Sequence, residues 1–258
     1  MMAMDRSALG IVIGLEARKL ARATVTRVAT IAALTLVTVT TAGGYAAATY
    51  AGDTDMGRKA ASMVTSPGWD GYTGLGATSV SATILLAVGV VMSWSVGREF
   101  TDGTIVGLFA IPPALRTIAT AKMVVTLSWA ALLGAGEAAL LMTAGLLLGL
   151  GAAGAAGCFA TLLLVSVVLS AGVLPVMWAA TWWRGYLAGI GLTLAILVAT
   201  NLAAGFGLGS YVPWSIPIVW ASHQTEVSTP LLATPVMTAA IGAWITYRSW
   251  DHLQLGAD

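Results

Sequence analysis

Few side chains in this sequence have the type and setting to do chemistry. Glu137 is the one charged residue deep inside a long apolar run, 15 residues beyond Lys122, or about 22 Å along a helix. A charged side chain at mid-membrane costs at least about 2.5–3.5 kcal/mol on insertion scales, so it should face a bundle interior, a partner helix or water. Two readings stand side by side. Glu137 either lines a passage within the bundle and contacts a cationic molecule, or it is a protonated acid bonded across helices or a helix-packing contact. Asn201 is a second pathway candidate, with interhelical bonding as its alternative. Nucleophilic catalysis needs a base beside the nucleophile. Ser166 and Ser170 have no His or Asp partner within their apolar run. His223 and His252 lie too far apart for a local metal motif, and the single Cys158 excludes an intrachain disulfide or a cysteine cluster. The sequence contains no G-x-x-x-x-G-K-[ST] loop, so no nucleotide is expected on this chain.

A different chemistry, that of docking, is written in residues 97–122, GREFTDGTIVGLFAIPPALRTIATAK. Arg98, Glu99, Asp102, Arg116 and Lys122 keep the segment in water, while Ile105, Val106, Leu108, Phe109, Ile111 and Leu115 give it an apolar coat that needs a partner. Pro112 and Pro113 stop any helix running through 103–111, because proline lacks the amide donor and restricts the residue before it. A fresh helix can start over 114–121. A short amphipathic helix ended by a proline corner fits a groove on a soluble partner. Residues 5–23 form a second such segment: Leu9, Val12, Ile13 and Leu20 share a helical face, against Glu16, Arg18, Lys19 and Arg22. A helix of this kind lies in the headgroup plane, as a lever or as an anchor.

The elements that hold these residues follow from composition. Of 258 residues, 58 % are hydrophobic and only 9 % are charged, with a formal net charge of +1; mean hydropathy is +0.87. An ordinary soluble domain carries about 25 % charge. The balance excludes a soluble enzyme, a disordered chain and a nucleic-acid binder. The apolar runs are unbroken rather than alternating, which excludes an outer-membrane barrel. The expectation is an all-α membrane protein of one domain with six crossings, each needing about 20 apolar residues: 26–49, 78–97, 123–149, 158–181, 186–206 and 230–247. With the N-terminus in the cytoplasm, Arg6, Arg18, Lys19, Arg22, Arg27, Arg98, Arg116, Lys122, Arg184 and Arg248 fall on that side and only Arg58 and Lys59 fall outside, 10 basic residues against 2. Both termini are then cytoplasmic. Trp182, Trp183 and Trp250 read as an interfacial belt. Between the fifth and sixth crossings, residues 207–229 carry Pro213, Trp214 and Pro217 in apolar pieces too short to cross. They dip in from outside and return. The N-terminal residues do not make a signal peptide.

In this order, Glu99, Gly103, Thr104, the 108–112 stretch, Arg116 and Lys122 resemble the E…GT…L…P…R…K signature of ABC-2 type ABC transporter permeases. Residues 16–22 (EARKLAR) resemble the start of that family's N-terminal elbow helix. Residues 211–217 (YVPWSIP) resemble the external segment of its smaller antibiotic- and bacteriocin-export members. The resemblance implies a type V exporter-like fold, with an elbow helix, six spans and an external re-entrant segment. It implies a bacterial cytoplasmic-membrane location. It also implies two separate ATPase subunits that hold ATP and Mg²⁺, and a second permease chain, identical or a diverged sister. Residues 101–111 would be the coupling helix, including Thr101, Asp102, Gly103, Thr104, Leu108 and Phe109. Glu99 would sit at its hinge facing Arg98, Arg116 or the basic residues of the elbow, and Pro112 would fix the corner. A mostly apolar chamber favours a hydrophobic or amphipathic cargo, such as a drug, an antibiotic peptide or a lipid-like molecule. An ion-coupled secondary transporter, for which one acid is thin support, and an intramembrane enzyme are the competing readings.

Overall fold

The computed structural model describes residues 6–222 and 228–254; His223 lies outside them. Helix α1 (Arg6–Arg22) ends at Ala23, whose extended backbone (φ −69°, ψ 130°) turns the chain into α2 (Thr24–Thr38). A π turn (Val39–Gly43) joins α2 to α3 (Gly44–Tyr50), so the three make one rod. In the π turn, the Thr40 hydroxyl donates to the Leu36 carbonyl at 2.8 Å, a back-bond that commonly bends helices. Helix α4 (Asp55–Ala61) is capped by Thr54, whose Oγ1 accepts from the Gly57 amide at 3.0 Å.

Helix α5 (Gly68–Thr101) has 34 residues, about 51 Å of helix, well beyond a hydrocarbon core of about 30 Å. It starts ten residues before the expected 78, directly after the extended Pro67. Residues 68–77 are too polar to count as a crossing, yet they are helical, with Asp70 in the first turn where the helix dipole favours an acid. Helix α6 (Ile105–Leu108) is four residues long. The expected helix over 101–111 is therefore corrected: Thr101 ends α5, Gly103 takes a left-handed φ of 68°, and the prolines close the far side. Helix α7 (Leu115–Leu147) starts eight residues before 123, using the fresh start after Pro113.

The expected fourth span, 158–181, is two helices, α8 (Ala155–Gly172) and α9 (Pro175–Trp182). Pro175 lacks an amide hydrogen, and the ladder breaks there. Helix α10 (Tyr186–Gly205) is followed by α11 (Ile216–Ser222), a 3₁₀ turn (Thr229–Leu232) and α12 (Ala233–Asp251). The last helix thus starts three residues after 230 and runs four past 247.

No strand occurs among the described residues. Six helical stretches, Thr24–Tyr50, Gly68–Thr101, Leu115–Leu147, Ala155–Trp182, Tyr186–Gly205 and Thr229–Asp251, are long and apolar enough to cross a membrane. The chain is a multi-pass, all-α membrane protein. Helix α5 stands at the centre, packed by α2, α7, α8, α9, α10 and α11. Two glycines make close approaches possible: a Cβ on Gly97 would strike the Tyr186 backbone, and one on Gly134 would lie 2.5 Å from Ser166 Cβ.

The two ends of the bundle are pinned differently. At one end, the Tyr50 hydroxyl donates to the Leu148 carbonyl (3.2 Å) and the Trp69 indole to Gly151 (3.1 Å). The opposite end gathers α1, the end of α5, the start of α7, the turn after α9 and the end of α12.

Candidate coupling site

The site begins with the phase of three helices. Glu16 and Lys19 are three residues apart and share a face of α1. Glu99 lies on the last turn of α5, and Lys122 on the third turn of α7. Lys122 is buried. Its ammonium donates to Glu16 Oε2, Glu99 Oε1 and the Ser95 carbonyl, each at 2.9 Å, which uses all three of its donors. Lys19 Nζ lies 2.8 Å from Glu16 Oε1 and 3.8 Å from Glu99 Oε1. Two carboxylates and two ammonium groups thus close a neutral cluster joining α1, α5 and α7. Ionic groups survive burial only when paired and hydrogen-bonded in this way.

The coupling segment hangs from this cluster by one short bond, Thr104 Oγ1 donating to Glu99 Oε2 at 2.6 Å. Beyond it, Ile105 is buried, whereas Val106, Phe109 and Ile111 are exposed. Ile11 and Leu15 of α1 form an apolar groove with Leu108, Ile111 and Pro112. The segment therefore holds its place with Ile105 and Leu108 and presents Val106, Phe109 and Ile111 as an apolar edge.

Of the partners that the resemblance offered Glu99 (Arg98, Arg116 or the basic residues of the elbow), it faces the elbow's Lys19 and neither Arg98 nor Arg116. Arg98 is about 100° round the helix from Glu99. It stacks on Trp94 at 4.6 Å, with Asp102 3.8 Å away. Arg116 is about 240° round α7 from Lys122 and pairs with Asp251 of α12 at 3.1 Å. Of the elbow's basic residues, Lys19 reaches the cluster, while Arg18 and Arg22 lie on the exposed face of α1.

Sequence reasoning treated Lys122 as a charge that keeps its segment in water, and the pairing with Glu99 was missed. The 23-residue separation of the two gives no periodic signal. Trp250 is likewise corrected. It is not an interfacial belt residue but is fully buried, donating from Nε1 to Thr181 Oγ1 at 2.9 Å and meeting Phe100 edge-on at 6.4 Å.

The expected pathway residues are not brought together. Glu137 is fully buried, and neither carboxylate oxygen has a hydrogen-bond partner. Thr83 of α5 stands beside it, but that hydroxyl's proton is directed to the Ser79 and Val80 carbonyls at 3.1 and 3.0 Å. Asn201 is exposed on α10 and donates to Leu197 of its own helix at 2.8 Å, so it does not reach the bundle interior.

In the segment after α10, Pro213 is half-buried and Pro217 buried. The Trp214 indole donates to the Gly172 carbonyl at 2.9 Å, an acceptor freed by the break in span four, because the Val176 amide turns to Val173 instead. Ser215 Oγ donates to the Thr200 carbonyl at 3.1 Å. The segment thus folds back on α10 and α8. Among the described residues, no three His, Cys, Asp or Glu side chains group closely enough to hold a metal ion.

The model of a family described as ABC-2 family transporter protein matches residues 12–200. The chain belongs to the ABC-2 family. As an ABC-2 chain it is the membrane permease component of an ABC transporter and associates with ABC ATPase partners. The match takes in the elbow residues, the ion cluster and the coupling segment, and it stops before Trp214 and α12. No curated protein and no solved structure matches the chain.

Proposed function

We propose that this chain is the permease of an ATP-driven exporter for hydrophobic or amphipathic molecules, of the antibiotic- and peptide-export kind, in the bacterial cytoplasmic membrane. Its termini and the Glu16–Lys122–Glu99 end face the cytoplasm, in line with the 10-to-2 division of basic residues. Two ATPase subunits hold ATP and Mg²⁺, and a second permease chain completes the assembly. The observation that carries this reading is the pairing of an exposed apolar edge, Val106, Phe109 and Ile111, with the Lys122-centred ion cluster to which Thr104 ties it. An ATPase groove takes the apolar edge, and Thr104 passes the displacement to Glu99. From there Lys122 and Glu16 carry it to α7 and α1 together. Nucleotide drives the cycle only if it binds one of the two conformations better.

The test is Phe109→Asp in the tagged full chain, with the ATPase subunit scored by co-purification. Phe109 is exposed, so thermal unfolding should stay at the wild-type value while the ATPase is lost from the complex. Undiminished recovery of the ATPase with Phe109→Asp would remove the docking role of the coupling segment.

A further inference from the structure

A second site lies on the seam between α2 and α5, inside the membrane-crossing region. Val28, Ala32 and Leu36 of α2 and Thr83, Ala87 and Val90 of α5 line an apolar groove of about 340 Å³, within the roughly 300–1,000 Å³ range of ligand pockets. Its α2 wall runs from Thr24 to Leu36, about 18 Å of helix. Apart from Thr24 at one end, Thr83 is its polar lining residue. Directly behind Thr83, and not itself on the groove wall, stands Glu137, fully buried; the Thr83 hydroxyl lies beside its carboxyl, yet neither carboxylate oxygen is in direct hydrogen-bond geometry. Lipid hydrocarbon has no use for a carboxyl there, and an acid left without a donor at that depth is costly.

We propose that the groove binds a lipophilic amine. Its apolar body lies along α2 and α5, and its nitrogen sits at Thr83 and pairs with the Glu137 carboxyl once the threonine side chain turns aside. Whichever partner holds the proton, the pair carries no net charge into the bilayer. Charge complementarity selects an amine over a neutral lipid or a second copy of the chain. The inference deepens the export reading by naming its substrate class, but binding here requires no ATPase.

The experiment uses the full chain in phosphatidylcholine nanodiscs without ATPase or nucleotide. A tertiary alkylamine carrying a diazirine is compared with its carbon isostere, in which CH replaces nitrogen. Photolabel should map to residues 24–36 and 83–90, with the amine labelling about tenfold more than the isostere, the ratio expected for one hydrogen bond to a charged group. Glu137→Gln should bring the amine down to the isostere's level. Ala32 is exposed on the groove wall, so Ala32→Trp fills the groove without entering the core and should abolish amine labelling while Glu137 stays intact. Equal labelling by amine and isostere would make the groove a lipid seat and overturn the proposal. So would labelling unchanged by Glu137→Gln, or label that appears only where two copies meet. Failure of ATP-driven export with labelling intact would strike the transport reading alone.

Discussion

Replacing Lys122 by methionine tests whether the ion cluster is the joint described above. Methionine keeps most of the stem's volume and removes the ammonium. Three 2.9 Å bonds vanish, and Glu16 and Glu99 face each other with one remaining cation, Lys19. Removing one partner of a buried ion pair typically costs about 3–5 kcal/mol. Lys19 tempers this for Glu16, which it meets at 2.8 Å, but its side chain is 50 % exposed and lies 3.8 Å from Glu99. The expected loss is about 3 kcal/mol, the lower end of that range, and a large part of a total stability of about 5–15 kcal/mol. The double variant Glu99→Gln/Lys122→Met leaves no unpaired charge. The amide oxygen introduced at position 99 still accepts from Thr104, and Glu16 keeps Lys19. The Ser95 carbonyl and Glu16 Oε2 each lose the Lys122 donor, so a residual loss of about 2 kcal/mol should remain. Denaturant titration of the purified chain in detergent reads both values. A single variant within about 1 kcal/mol of wild type would match an exposed pair and refute the buried cluster. A double variant no better than the single would mean that Lys122 acts through its aliphatic stem.

Two further outcomes are expected. Trp214→Phe keeps the ring but leaves the Gly172 carbonyl without its donor; unfolding should cost about 1–3 kcal/mol less, and an unchanged melting curve would show that water serves that carbonyl instead. Gly134→Ala forces a Cβ to 2.5 Å from Ser166 Cβ and should destabilise by about 1–3 kcal/mol. Ser166→Gly in the same chain should recover that loss, less about 1 kcal/mol for glycine inside a helix, and a double-mutant cycle showing no coupling would mean that the two helices simply part.

The spans were legible because hydropathy reads one quantity, the transfer of side chains into hydrocarbon. For the same reason it misplaced their ends. Asp70, Tyr72 and Thr73 do not belong in lipid, yet they sit on the first turns of α5, since a helix needs neither lipid nor apolar residues to continue. The coupling segment was legible from its apolar coat and its prolines. Its helix came out too long because the left-handed turn at Gly103 reads in sequence as an ordinary glycine. Glu99 stood out by its place at the end of a span, but its partner did not. Helical periodicity fixes which residues share a face of one helix, and it is silent on the register between helices. Trp250 failed on the same point: a tryptophan next to basic residues fits the belt pattern, and only the packing of α9 against α12 shows it buried.

The contrast between α5 and the fourth span bears on how motion would travel. Helix α5 is unbroken from Gly68 to Thr101, so a shift at Glu99 moves its whole length, including Gly74, where a Cβ would touch Ser222 at 3.4 Å. Span four is broken after Gly172, and an unsupported break would absorb such a shift by bending. It is supported at both ends of α9. Trp250 holds Thr181 at one end, and Trp214 holds Gly172 just before the other. Between them Pro175 lies so close to Gly242 that a Cβ there would sit 2.6 Å from its ring nitrogen. With both indoles bonded, α9 is fastened to α12, and the end of α8 to the segment after α10. A displacement arriving at Asp251 from Arg116 therefore reaches the neighbouring Trp250 and, through α9, the break itself. Each tryptophan substitution should loosen that link at one end only.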